Sequence, residues 1–161
     1  MAILGGHLPL WDPASSGGRL LWANPNTMAA YPGTVAFLAG SPERVAVWCM
    51  ALHHLLFVAG CFALGRRSDA SPGAALVGAA AGGFSGLAWS ATTFLNFQAS
   101  LAWLPWALAV VARPPRDQRA AAGQALGSGT LLGLAFLGGE PVSVALAGCC
   151  AGVVVLGRWP A

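Results

Sequence analysis

Between Asp69 and Arg113 the chain carries no Asp, Glu, Lys or Arg. That run, Ala70 to Ala112, is longer than one bilayer crossing, which takes about 20 apolar residues. Charge-free runs also cover 120–139 and 141–157, and Val45–Leu64 adds another. A water-soluble fold can bury one such segment in its core, but not four. Hydrophobic residues make up 57% of the chain and charged residues 8%. An average soluble domain has about a quarter of its residues charged. Lipid is the solvent that fits this pattern. The expected class is all-α: a polytopic transmembrane helical bundle of about five spans, with an irregular extracytoplasmic amino-terminal segment.

Two regions follow. Residues 1–42 form a loop segment punctuated by Pro9, Pro13, Pro25, Pro32 and Pro42. Residues 43–161 form the helical region, with spans near 45–64, 74–94, 97–112, 120–137 and 142–156. The third span contains Pro105, and Asn96 with Gln98 reads as a short polar turn before it. The third and fifth spans are short for a crossing at about 1.5 Å per residue, so they tilt or borrow flanking residues.

Arginine positions give the orientation. Arg66 and Arg67 follow the first span. Arg113, Arg116 and Arg119 separate the third from the fourth, and Arg158 follows the fifth. Alternating crossings put these six on one side, which the positive-inside rule makes cytoplasmic. The other side receives only Arg19 and Arg44, and with them residues 1–42. The expected topology is therefore multi-pass, with the polar segment outside the cytoplasm. Gly78/Gly82/Gly86, Gly123/Gly127, Gly129/Gly133 and Gly148/Gly152 are small residues four apart, a spacing that lets helices pack closely. Trp103 and Trp106 read as bundle packing.

Motif chemistry is sparse. There is no Walker A loop, GxGxxG, HExxH or GxSxG. The few basic residues are topology signals, so nucleic acid is not an expected partner. Cys49, Cys61, Cys149 and Cys150 lie in apolar runs without CxxC spacing, the pattern of packing residues. His53 and His54 sit mid-span, where polar side chains face the bundle or a cavity. Adjacent helical residues point about 100° apart, so the two rings cannot share a face or a metal. Asp12 has two readings: an extracytoplasmic general base or cation ligand, or a turn starter before Pro13. Glu140 likewise either caps the fifth span or meets substrate. Asn24-Pro25-Asn26 and Tyr31-Pro32 offer the amide and aromatic groups that hold sugars and other polyols.

The ordered pattern resembles a known family. Gly6-His7-Leu8-Pro9-Leu10-Trp11-Asp12-Pro13, then Ser16-Gly17-Gly18, Ala23-Asn24-Pro25-Asn26 and Tyr31-Pro32, resemble the first extracytoplasmic loop of bacterial YfhO-like membrane proteins. Those are glycosyltransferase-like proteins of the GT-C type. The His53-His54 helix, Phe84-Ser85-Gly86, Ala102-Trp103-Leu104-Pro105 and Gly138-Gly139-Glu140-Pro141 follow in the same order. The resemblance implies transfer of a sugar from a polyprenyl-phosphate donor to a sugar or lipid acceptor of the envelope, at the outer face of the membrane. A divalent cation is a conceivable cofactor, because an acid of the first loop acts as base or metal ligand in such enzymes. Asp12, Glu140 and His54 are then the catalytic candidates. Trp11, Arg19, Asn24, Asn26 and His53 are the substrate-binding candidates, with Arg19 placed for phosphate. The family's acid follows an amino-terminal span that is not seen here. A partial chain is therefore the expectation, with the catalytic base upstream. The rival reading is a non-catalytic transporter subunit or envelope-assembly scaffold.

Overall fold

The computed structural model describes residues 10–13 and 17–157. Gly6–Pro9 and Ser16 of the loop motif, and Arg158 and Trp159 at the other end, lie outside them. Helices dominate the described residues, in keeping with the all-α expectation. The amino-terminal segment is not wholly irregular. Strands β1 (Trp11–Asp12) and β2 (Arg19–Leu20) pair antiparallel, Trp11 opposite Leu20 and Asp12 opposite Arg19. Gly17 and Gly18 turn the ribbon at positive φ, and the Trp11 ring lies where a Gly18 side chain would have to go. Two 3₁₀ turns, Pro25–Thr27 and Pro32–Leu38, carry this segment before residue 42, the strap, on to the first helix.

Helix α1 spans Pro42–Arg67. Proline occupies its first turn, Glu43 lies at its amino end, and Arg66 and Arg67 lie at its carboxyl end. Proline suits the first turn, where its missing N–H costs no bond, and the charged residues suit the helix dipole. Helices α2 (Pro72–Gly83), α3 (Gly86–Ala91), α4 (Leu95–Val111), α5 (Gln118–Leu137) and α6 (Pro141–Leu156) follow. Helix α4 is the centre, packed against α1, α5 and α6. Its inward positions are mostly small, with Ala99, Ala102 and Ala107 fully buried, so neighbouring backbones approach closely. Pro105 removes one helical N–H from α4 but sits against Gly60 of α1. There Trp106 Nε1 donates to the Leu56 carbonyl at 2.9 Å.

The outer surface is apolar. Only Phe57 and Gly60 of α1 are buried, while Val47, Trp48, Leu52 and Leu55 are each more than 60% exposed. Leu126, Leu146 and Val153 continue this surface on α5 and α6. Two helices, α1 and α5, are each long and apolar enough to cross a membrane alone. Helices α4 and α6 are shorter apolar helices.

Two expectations need correcting. First, 74–94 is not one helix. Gly83 presses against Val58, leaving no room for a side chain. Ser85 then ends α2 and starts α3, donating to the Gly82 carbonyl at 2.6 Å and accepting from Ala88 N at 3.2 Å. Five uninterrupted spans are thus not what the chain forms. Second, the glycine pairs do not all mediate contacts. Gly82 meets Cys61 and Gly127 meets Val110, but Gly129, Gly133, Gly148 and Gly152 face open space.

The molecule has two ends of different chemistry. At one, Arg113 pairs with Asp69 and donates to the Arg67 carbonyl, and Asp117 caps α5 through Ala120 N. These groups are exposed, so the ion pair contributes at most about 1 kcal/mol. At the other end the strap lies over α1, α4 and the α5–α6 turn.

The α1–α4 contact is directly testable. A Cβ on Gly60 would stand 2.7 Å from the Trp106 ring and 2.8 Å from Pro105 Cγ. Gly60→Ala is expected to destabilise the protein by about 1–3 kcal/mol, the usual range for overpacking. Gly78→Ala, which meets open space, serves as the control. Thermal melting of both variants in one detergent checks the contrast.

Candidate functional site

The strap is fixed by a chain of hydrogen bonds through Tyr31. Its ring is buried with Met28 and Ala99, packed against Leu95. Trp103 Nε1 donates to the Tyr31 hydroxyl at 2.9 Å. That hydroxyl lies 2.6 Å from His53 Nε2, and His53 Nδ1 lies 2.6 Å from the Cys49 carbonyl. A carbonyl only accepts, so Nδ1 carries the imidazole proton. In the neutral ring Nε2 is then the acceptor, and Tyr31 donates to it. Burial pushes the Tyr31 hydroxyl above its ordinary pKa. The Trp103 bond opposes this, and nearby Cys49 adds to it. Tyr31 thus stays a protonated donor.

A second anchor lies beside it. Asn96 Nδ2, buried in the first turn of α4, donates to Asn26 Oδ1 at 3.1 Å. The Asn26 turn is itself held by Asn24, whose side chain accepts from Asn26 N at 3.0 Å. Thr27 Oγ1 donates to the carbonyls of Leu21 and Asn24. Asn26 and Asn96 line an open cleft of about 470 Å³ with Thr27, Thr34, Met28, Phe37 and Leu95. Its wall offers amides and hydroxyls beside apolar side chains, and no carboxylate. A smaller cleft of about 250 Å³ lies between Trp22–Pro25 and Phe136, Leu137 and Pro141.

The Gly138-Gly139-Glu140-Pro141 turn closes against the same end. Gly139 has φ +100° and a Cβ there would collide with the Pro25 carbonyl, so only glycine fits. Ser100 Oγ accepts from Glu140 N at 3.0 Å. The Glu140 carboxylate is buried and accepts from Ser143 N at 2.6 Å, capping α6. Its geometry is that of the capping alternative.

His54 points away from His53, to another partner. His54 Nδ1 lies 3.3 Å from Gln98 Nε2, and Gln98 is fully buried with Oε1 unpartnered. Trp11, Asp12 and Arg19 belong to the ribbon. None of Trp11, Asp12, Arg19, His54 or Glu140 lines either cleft. Asn26 lines the larger one and Asn24 the smaller, while His53 stands behind Tyr31.

Asn96 and Gln98 do not mark a turn. Both are buried within α4, and the turn precedes them at Thr92–Phe94. Their signal was present as lone amides within a charge-free run. Trp103, read as packing, does pack beside Leu104, but its indole N–H also holds the strap. Among the described residues no three His, Cys, Asp or Glu side chains come together to hold a metal. The neutral lining of the cleft does not suit a divalent cation, which takes carboxylate and other oxygen ligands.

No family model matches the chain, and no curated protein or solved structure matches it at a significant level.

Tyr31→Phe tests the central bond. It leaves the Trp103 and His53 ring nitrogens without their partner, and a loss of about 1–3 kcal/mol is expected. Thermal melting against the wild type measures it.

Proposed function

We propose that this chain is an integral membrane protein whose strap-end cleft holds a neutral, hydroxyl-rich ligand on the extracytoplasmic side of a bacterial inner membrane. The carrying observation is the bridge from buried Asn96 to exposed Asn26 on the wall of an open cleft, at the end opposite the arginines. One such bond uses only part of the donor and acceptor capacity of two amides. The remainder suits sugar hydroxyls, and Met28, Phe37 and Leu95 suit a sugar's apolar faces.

In this reading the chain makes five crossings, with α2 and α3 together forming one interrupted crossing. Its apolar exterior supports the membrane assignment, since contiguous exposed apolar patches on soluble monomers rarely exceed a few hundred Å². Segregation of Arg66, Arg67 and Arg113 from the strap supports the orientation. The YfhO-like resemblance names the chemistry: a polyprenyl-phosphate sugar as donor and an envelope sugar or lipid as acceptor. An acceptor hydroxyl attacks the anomeric carbon, a carboxylate takes its proton, and polyprenyl phosphate leaves. The strap acid in this reading is Asp12, which lies in the ribbon and outside the lining of the clefts. Arg19, opposite it in the ribbon, is the phosphate partner through charge-assisted hydrogen bonds.

A second reading rests on a specific observation. The cleft has no lining carboxylate, and Glu140 is engaged at the α6 terminus. Both suit a transporter subunit or scaffold that binds a sugar without transferring it.

Orientation is checked with single cysteines in intact cells. A membrane-impermeant thiol reagent is expected to label position 24 and not position 116; the reverse pattern removes the extracytoplasmic site. Function is checked in nanodiscs with a radiolabelled polyprenyl-phosphate sugar. Asn96→Leu is expected to weaken binding about tenfold, the loss of one or two hydrogen bonds. Binding with transfer to an acceptor supports the enzyme. Binding without transfer supports the second reading, and no binding rejects both.

A further inference from the structure

The two-stranded ribbon has one apolar face and one charged face. Its strands pair Trp11 with Leu20 and Asp12 with Arg19. Residues directly opposite each other point to the same side of a ribbon, and successive residues of a strand point to opposite sides. Trp11 and Leu20 therefore share one face, both more than half exposed, and Asp12 and Arg19 share the other. The Trp11 ring lies over Gly18, so the turn itself seats the indole.

We infer that this ribbon is an interfacial foot: its Trp11–Leu20 face rests in the headgroup region of the outer lipid leaflet, and its Asp12–Arg19 face is turned to water. The inference rests on the reading of the chain as a membrane protein. It goes beyond that reading by assigning a lipid contact to a segment outside the helices.

The distribution of tryptophan carries the argument. Six tryptophans lie among the described residues. Trp103 and Trp106 donate their N–H groups within the protein. The other four, Trp11, Trp22, Trp48 and Trp89, are each about half exposed or more, and all lie at the strap end. Trp22 lines the smaller cleft with Leu137 and Pro141 of the α5–α6 turn. Trp48 precedes Cys49, whose carbonyl meets His53 beside Tyr31. Trp89 belongs to α3, which leads through the Thr92–Phe94 turn to the first turn of α4, where Asn96 meets Asn26. The opposite end carries Arg66, Arg67 and Arg113 and, among the described residues, no tryptophan.

An exposed indole suits one location above others. Its ring is apolar and its N–H is polar, so it collects where hydrocarbon meets water. The four indoles are also spread over the ribbon, α1 and α3, on separate flanks of α4. A protein partner would meet one flank, whereas a lipid interface meets every flank at one level. The exposed apolar surface of α1 continues from Trp48 through Leu52 and Leu55. The indole level is thus the outer margin of the surface assigned to lipid. Asp12 and Arg19 bring no net charge to the ribbon, so the contact needs no anionic lipid.

Fluorescence quenching of the full chain in phosphatidylcholine nanodiscs tests the foot. Bromine is carried on the acyl chains, either just below the headgroup or near the chain ends. The emission of the ribbon is that of the wild type minus that of the double variant Trp11→Phe/Trp22→Phe. Indoles at headgroup level are expected to lose at least about half of this emission to the shallow bromines, and less to the deep ones. Leu126→Trp, added to the double variant at an exposed position within α5, reports on the membrane itself and is expected to be quenched. Ribbon emission that neither lipid quenches, while Leu126→Trp is quenched, overturns the foot and leaves the membrane reading standing. Stronger quenching of the ribbon by deep bromines than by shallow ones also overturns the foot. Leu126→Trp emission untouched by both lipids overturns the two readings together. Each single variant, Trp11→Phe or Trp22→Phe, isolates one indole and gives the same decision if the double variant does not fold.

Discussion

In the proposed membrane setting, a polar group among these helices has no water to fall back on, and it must find its partner inside the protein. That single requirement organises the structure. Ser85 takes up the backbone groups freed where α2 stops. Trp106 spends its indole N–H on a carbonyl of α1. Ser100 answers the Glu140 amide, and Glu140 answers the first turn of α6. The strap is held in the same way, through Tyr31 and Asn26. Apolar contact supplies bulk, but the inward polar bonds decide which turn of one element meets which turn of another.

Much of the architecture was legible because it rests on local patterns. The charge-free runs located α1, α4, α5 and α6 with only small shifts at their ends, since lipid-compatible helices announce themselves by length and hydropathy. The break at Gly83–Ser85 was not legible. Composition there is as apolar as in a continuous helix. The cause is a tertiary contact, Val58 pressing on Gly83, that no local pattern reveals. The same holds for the spaced glycines, of which only Gly82 and Gly127 meet a neighbouring side chain.

The candidate site was legible in its materials and not in its arrangement. Asn24, Asn26 and Tyr31 stood out as amide and aromatic groups, but their partners lie about 70 residues on, at Asn96 and Trp103. The helix-angle argument for His53 and His54 needed only geometry: one ring serves the strap and the other faces Gln98. Glu140 was open between two roles because Glu-Pro fits both a cap and an exposed acid. The Ser143 amide supplied what the sequence lacked.

Two indoles one turn apart tie α4 in different directions. Trp103 reaches the strap through Tyr31, and Trp106 reaches the middle of α1 at Leu56. A piston stroke of α4 by one residue, about 1.5 Å, would stretch both tethers together. Any displacement of this helix is therefore shared at once between the outer strap and the centre of the bundle. The central helix thus ties the strap to the middle of α1, and a shift at either tether is felt at the other.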